Sequence, residues 1–306
     1  MPASGTPRSS ATGASATRGV VLAGSAFALW GVLPLFYKEL AHVPVLDVLA
    51  HRGLWALAFL VCLVTARGRW PQVMAALANR RAVAILALTG LLIAANWGGF
   101  IYSVVSGHVL EASLGYFINP LMNVALGVVL LAERLNRAQR VAIGLAALGV
   151  LNEIVVIGDV PWIALFLASS FAAYGYLRKT VPVESLDGLL VEMALLSPVM
   201  AGYLLWLGGP LLGLPQWDMA TLILLLLTGP FTAIPLLLFA AGARAIHMAT
   251  LGLLQFLAPS TMFLLAVLVF GEPFTLANAL TFAGIWTGLA VFAWDAWRGA
   301  RVPHSV

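Results

Sequence analysis

The stretch TLILLLLTGPFTAIPLLLFAA, Thr221 to Ala241, contains no charged residue and is about as long as a helix must be to cross a hydrocarbon core of roughly 30 Å. It is one of several such runs; Ala138 to Val156 is another that is mostly apolar over a similar length. Hydrocarbon offers no partner for a backbone N–H or C=O, so a chain that spans a membrane does so as helices or as a closed β-barrel. Barrel strands alternate apolar and polar residues, and these runs do not. The whole chain carries the same signature: 62% of its residues are apolar and 9% charged, and its mean hydropathy is +1.00. A soluble domain has about 25% charged residues, so an aqueous surface cannot be assembled from this composition.

Apolar runs and their punctuation predict ten spans, near residues 18–38, 46–66, 81–102, 109–131, 138–157, 161–178, 187–207, 219–241, 248–270 and 277–297. Residues 1–17 are small and polar, lack the apolar region of a secretory signal, and read as a disordered cytoplasmic tail; residues 298–306 form a second cytoplasmic tail. With the N-terminus inside, all of the sixteen Lys and Arg except Lys38 and Arg52 fall on the cytoplasmic side. The net charge of +4 is therefore a topology signal, and no nucleic-acid partner is expected. The C-terminus returns to the cytoplasm of a multi-pass inner-membrane protein. Cys62 is the only cysteine, which excludes internal disulfides and cysteine-rich metal sites.

The chain repeats itself. Sliding it by 139 residues without gaps sets LTG at Leu88 to Gly90 on LTG at Leu227 to Gly229, and His108, Leu114, Pro120, Glu133 and Gly149 on His247, Leu253, Pro259, Glu272 and Gly288. With small gaps, Ser25 to Gly31 falls on Ser169 to Gly175, and Asp47 and Arg52 fall on Asp187 and Glu192. Each copy holds five spans, an odd number, so the second enters the membrane from the opposite side. The expected fold is an all-α polytopic membrane protein of ten helices in two inverted five-helix repeats, 18–157 and 161–297.

Several long motifs resemble the RarD group of the EamA-type drug/metabolite transporters: FALWGVLPLFYKEL from Phe27, HRGLW from His51, the block Asn96 to Arg134, and APSTMFLLAVLVFGE from Ala258 to Glu272. The resemblance runs from about Gly19 to Asp295. It implies a permease of the cytoplasmic membrane for small metabolites or drugs, and the group's name is linked to chloramphenicol sensitivity.

An ionisable group inside a bilayer costs at least about 2.5 to 3.5 kcal/mol, which makes each one a functional candidate. His51 and Arg52 lie about two turns into the second span and Glu111 in the first turn of the fourth, so Arg52 and Glu111 are expected to pair as an outer gate or to hold a charged substrate group; the alternative is a fixed structural pair. Glu192 with Arg244 and His247 is the symmetric inner gate. Glu111, Gly115, Asn119, Asn123 and Gly127 form an i, i+4 ridge on the fourth span that should face the ninth, around Gln255, and line the central path. Tyr116 lies one face away. Glu133 and Glu272 read as interfacial caps. Trp30, Trp97 beside Asn96, Tyr174 and Trp286 are ring-stacking candidates.

No GxxxxGK[ST] loop is present, so energy for transport would come from proton coupling, with Glu111 and Glu192 as carriers, or from substrate exchange. HExxH and acidic metal clusters are absent, which disfavours an intramembrane enzyme and implies no cofactor. A non-transporting scaffold or sensor is the remaining alternative. The expected partners are a small-molecule substrate, the bilayer and, through the small-residue faces, a second copy in a homodimer.

Overall fold

The protein was analysed as a computed structural model that describes residues 9–105, 109–157, 160–206, 217–269 and 276–301. Its described residues form twelve α-helices: α1 Ser9–Lys38, α2 Val45–Ala66, α3 Trp70–Ala78, α4 Arg80–Val105, α5 Val109–Leu130, α6 Arg137–Ile157, α7 Trp162–Thr180, α8 Ser185–Trp206, α9 Met219–Ala245, α10 Met248–Gln255, α11 Leu257–Leu268 and α12 Leu276–Arg301. Six segments among the described residues are long and apolar enough to cross a membrane: Ala16–Lys38, Val45–Ala66, Arg80–Phe100, Ser185–Trp206, Met219–Ala245 and Met248–Leu265. The chain is an all-helical, multi-pass membrane protein.

Three features depart from the sequence expectation. Helix α1 opens at Ser9, so residues 9–17 of the expected tail are helical. Its start falls just behind Pro7, and no proline interrupts the chain again until Pro34. A short helix, α3, stands between the second and third predicted spans, with Pro71 in its first turn, where a missing N–H costs nothing. The ninth predicted span is divided at Phe256 into α10 and α11. Pro259 explains the position: its ring has no N–H for the carbonyl of Gln255 and crowds it, so the break falls one turn upstream of the proline.

Helix α9 packs on α1 and α2, α4 packs on α7 and α8, α2 crosses α8, α5 crosses α7 and α10, and α6 lies along α12. The central core gathers Phe27, Leu60, Leu86, Tyr174, Leu189 and Phe239, all almost completely buried; a second core around Phe117, Ile118, Val150, Phe282 and Ile285 joins α5, α6 and α12. In lipid the drive to pack is close approach rather than exclusion of water, so small residues sit at the tightest crossings. Gly229 of α9 is one: a Cβ there would lie 2.4 Å from the carbonyl carbon and 2.5 Å from the carbonyl oxygen of Trp55. Backbone cannot yield as a side chain can. Gly229→Ala is expected to destabilise the α2–α9 crossing by about 1–3 kcal/mol, read as a lower melting temperature in mild detergent; an unchanged melting temperature would show that the crossing is looser than drawn.

Candidate functional site

Arg52, in α2, is half-buried. Its Nε donates to Thr232 Oγ1 of α9 at 3.1 Å, and its guanidinium carbon lies 4.2 Å from the ring centre of Trp97 in α4 and 5.9 Å from that of Tyr37 in α1. A planar guanidinium stacks on aromatic faces, which holds the fork flat while its outer N–H groups remain directed elsewhere. Tyr116 of α5 lies within electrostatic reach of Arg52 and Tyr37, is 38% exposed and meets Phe100 edge-on at 6.2 Å. The Tyr37 hydroxyl is buried with no hydrogen bond. The side chain of Glu111, the expected partner of Arg52, lies outside the described residues. His51, next to Arg52, is buried.

Glu192 of α8 anchors a second polar group, which the structure seals completely. Its carboxylate lies 3.4 Å from Arg178 Nη1 of α7, with both side chains fully buried. Thr89 Oγ1 of α4 donates to Glu192 Oε1 at 2.5 Å, and the Tyr174 hydroxyl of α7 approaches Oε2 at 3.4 Å. Arg178 Nη2 donates to the carbonyl of Ser185 at 2.9 Å, while its Nε has no hydrogen bond. Gly188 makes room: a Cβ there would fall 2.1 Å from Arg178 Nη1.

This corrects the expected inner gate. Arg244 donates to the carbonyls of Val181 and Val183 at 2.7 and 2.8 Å, and His247 lies 3.5 Å from Glu133, so neither is the partner of Glu192. Arg244 and His247 sit at the α9–α10 junction, where loop carbonyls and Glu133 are nearer acceptors. The true partner, Arg178, ends the sixth predicted span, where charge segregation counts it with the basic residues of the cytoplasmic side. The available clue was its spacing: four residues after Tyr174, it faces the same way.

The helical ridge on α5 divides between two neighbours. Gly115 lies against α7, where a Cβ would be 3.2 Å from the Ala164 carbonyl; Gly252 of α10 lies against the Pro120 carbonyl, 2.5 Å from such a Cβ. Residues at i+4 drift around the helix, so one ridge meets α7 at one end and α10 at the other. At the α10 end Asn123 Nδ2 donates to Gln255 Oε1 at 2.5 Å. The amide oxygens of Asn119 and Asn123 are buried without a hydrogen bond. Glu133 is a cap, but of another helix: its two carboxylate oxygens accept from the N–H groups of Met248 and Ala249 at 2.8 and 3.1 Å, where the dipole of α10 favours a negative charge. Ala132, with φ 51°, provides the left-handed turn that points Glu133 there. The side chain of Glu272 lies outside the described residues.

Other candidates have structural employment. Asn96 Nδ2 donates to the Leu167 carbonyl at 2.8 Å and to Ser170 Oγ at 2.9 Å, tying α4 to α7. Trp30 packs with Phe27, Phe171 and Phe239 at centroid distances of 5.6 to 5.7 Å, and Tyr174 stacks on Phe239 at 6.1 Å. Trp286 donates to Ser260 Oγ at 3.0 Å. A separate apolar groove of about 400 Å³ between α4 and α7 is lined by Ala95, Gly98, Gly99, Tyr102, Trp162 and Phe166, none of them ionised.

Outside the spans, Arg69 binds Asp187 through Nε at 2.9 Å and Nη2 at 2.7 Å and also reaches Glu184 at 2.8 Å. These hydrogen bonds hold the Arg69 guanidinium above even its usual range, so it is permanently charged. Asp218 accepts from the Thr221 N–H at 2.8 Å as the N-cap of α9, and hydrogen bonding from the Thr221 side chain and then its backbone lowers the Asp218 carboxyl below the usual range.

Comparison with known proteins agrees with this architecture. The model of the EamA-like transporter family matches residues 17–152. An uncharacterized transporter of Vibrio cholerae serotype O1 is 43% identical over 295 residues, 95% of each chain; the protein RarD of Salmonella typhimurium is 43% identical over 280 residues, 91% of this chain and 95% of its own. A solved crystal structure with 22% identity shares the fold at a TM-score of 0.68, over 89% of this chain and 96% of that one. By the family model it matches and the relatives it resembles along more than nine-tenths of its length, the chain belongs to the EamA-like transporter family.

Proposed function

We propose that this protein is a secondary transporter of small metabolites or drugs, built from two inverted five-helix repeats and working by alternating access. The observation that carries this reading is how helix contacts exchange between the halves. If α1, α2, α4, α5 and α6 correspond to α7, α8, α9, the α10–α11 pair and α12, then α1 on α9 mirrors α7 on α4, and α2 on α9 mirrors α8 on α4. Likewise α5 on α7 mirrors α10 and α11 on α1, and the crossings α2–α8, α5–α10 and α6–α12 map onto themselves. Such exchange is what a twofold axis in the membrane plane produces. The repeats are then 18–157 and 161–297, with both termini cytoplasmic.

Within this frame Arg52 and Glu192 occupy equivalent places, each bonded to a threonine of the other repeat's third span, Thr232 and Thr89. An ionisable group at each pseudo-equivalent point suits two gates that open in turn. Coupling is to protons or to exchange of a second substrate, with Glu111 and Glu192 as the carriers to test. His51, Trp97, Tyr116, Asn119, Asn123 and Gln255 border the path; Asn96 and Trp30 support its walls.

The test is transport by purified protein in liposomes holding a pH dye, challenged with amphenicols, amino acids and nucleoside-like metabolites. Substrate-dependent proton flux lost in Glu192→Gln supports coupling. Counterflow with no proton flux supports exchange, and no flux of any tracer across the panel removes the transporter reading.

A further inference from the structure

We infer that the outer site around Arg52 takes a small organic carboxylate, an inference that rests on the transporter reading above and names its substrate class. The argument begins with the repeat. In the register that sets Ser25 to Gly31 on Ser169 to Gly175, Tyr174 falls on Trp30 and Arg178 falls on Pro34. The second half thus supplies Glu192 with a countercharge from the sixth span, and the fully buried pair is neutral. The first half has the equivalent ionised residue, Arg52, but places a proline where the countercharge would stand. Among the described residues no carboxylate pairs with Arg52, and Asp47, one and a half turns away on α2, is engaged by the Tyr203 hydroxyl at 3.0 Å.

Among the described residues Arg52 is thus a positive charge without an ion-pair partner, held in a setting where charge is costly. The chemistry at hand selects what offsets it. A guanidinium has five N–H donors in a fixed fork, and the bond to Thr232 uses one. Contact with the Trp97 ring, 4.2 Å from the guanidinium carbon to the ring centre, restricts the motion of the fork. The paired outer N–H groups match the two oxygens of a carboxylate, and Tyr37, whose ring centre lies 5.9 Å from the guanidinium carbon, carries a buried hydroxyl with no hydrogen bond. Tyr116 and Phe100 supply an apolar wall for the remainder of the molecule. An amine would meet Arg52 with like charge, and a neutral amide would leave that charge uncompensated.

The test uses the full chain in lipid nanodiscs, with benzoate and pentanoate as probes, their amides and benzylamine as matched controls, and phenyl phosphate as the other oxyanion. Both carboxylates are expected to bind at least about tenfold more tightly than the amides and benzylamine, and Arg52→Gln to remove that preference. Arg52→Lys, which keeps the charge but not the fork, should lose part of the preference and guards against a variant that fails to fold. Equal binding of amide and carboxylate would overturn the inference, as would carboxylate binding that survives Arg52→Gln or tighter binding of phenyl phosphate. Carboxylate binding seen only in Glu111→Gln would overturn it too, because Glu111 would then be filling the fork itself. Counterflow separates this inference from the reading beneath it: equal carriage of benzoate and benzamide, with benzoate flux untouched by Arg52→Gln, keeps the transporter and discards the carboxylate, whereas Arg52-dependent benzoate binding with no flux of any probe keeps the site and discards the transporter.

Discussion

Replacing Arg178 by methionine is expected to destabilise the protein by about 3–5 kcal/mol, the largest effect of any single substitution considered, because it leaves the Glu192 carboxylate buried without its cation. Both side chains have no exposed surface, and the carboxylate keeps only Thr89 and Tyr174 as neutral donors. The pair itself need not be strongly stabilising. Two charges withdrawn from water forfeit hydration that their attraction barely repays, and here the Arg178 Nε adds an unmet donor. The double variant Arg178→Met with Glu192→Met is therefore expected to recover most of the loss, with a melting temperature near that of the parent. If the double variant is stable but does not transport, the pair is kept for function rather than for stability. If the single and double variants lose equally, the cost comes from side-chain packing, and the ion pair is not what holds α7 to α8.

That pair also shows what can and cannot be read from a sequence of this kind. Six spans were legible because bilayer thickness fixes their length, and the contact of α5 with α10 was legible because Asn119, Asn123 and Gly127 recur every four residues, a pattern lipid would not accept. Asn123 on Gln255 is the result. Arg178 was not legible: charge counting treats every basic residue at a span end alike, and only the third dimension turns one of them inward onto Glu192. The division at Phe256 follows from Pro259, whose missing hydrogen bond falls there. Arg52 reads from the sequence as a costly intramembrane charge, yet its neighbours, Thr232 and Trp97, come from distant spans that no local spacing connects.

The second large effect concerns the latch between Arg69 and Asp187. In this structure one half of the site is sealed, with Tyr174, Arg178, Glu192 and Phe239 fully buried, while Arg52, Trp97 and Tyr116 of the other half retain accessible surface. On the proposed inverted twofold, the opposite arrangement would be reached by exchanging the conformations of the halves, opening Glu192 and closing Arg52. Arg69 holds the α2–α3 turn against the start of α8 by a bidentate pair whose Asp187 side chain is only 4% exposed, and no other ion pair among the described residues spans this junction apart from its own contact with Glu184. A partly exposed pair of this geometry is worth about 1–2 kcal/mol, enough to shift a two-state population roughly tenfold. In a Cys62→Ser background, Arg69→Met is therefore expected to raise labelling of Thr89→Cys by an impermeant maleimide about tenfold in inside-out vesicles. Labelling of Trp97→Cys from the opposite face should fall in step. Coupled and opposite changes are the signature of one equilibrium with two gates. A rise at Thr89→Cys with no fall at Trp97→Cys would mean that Arg69 merely pins a local turn, and that the two halves open independently.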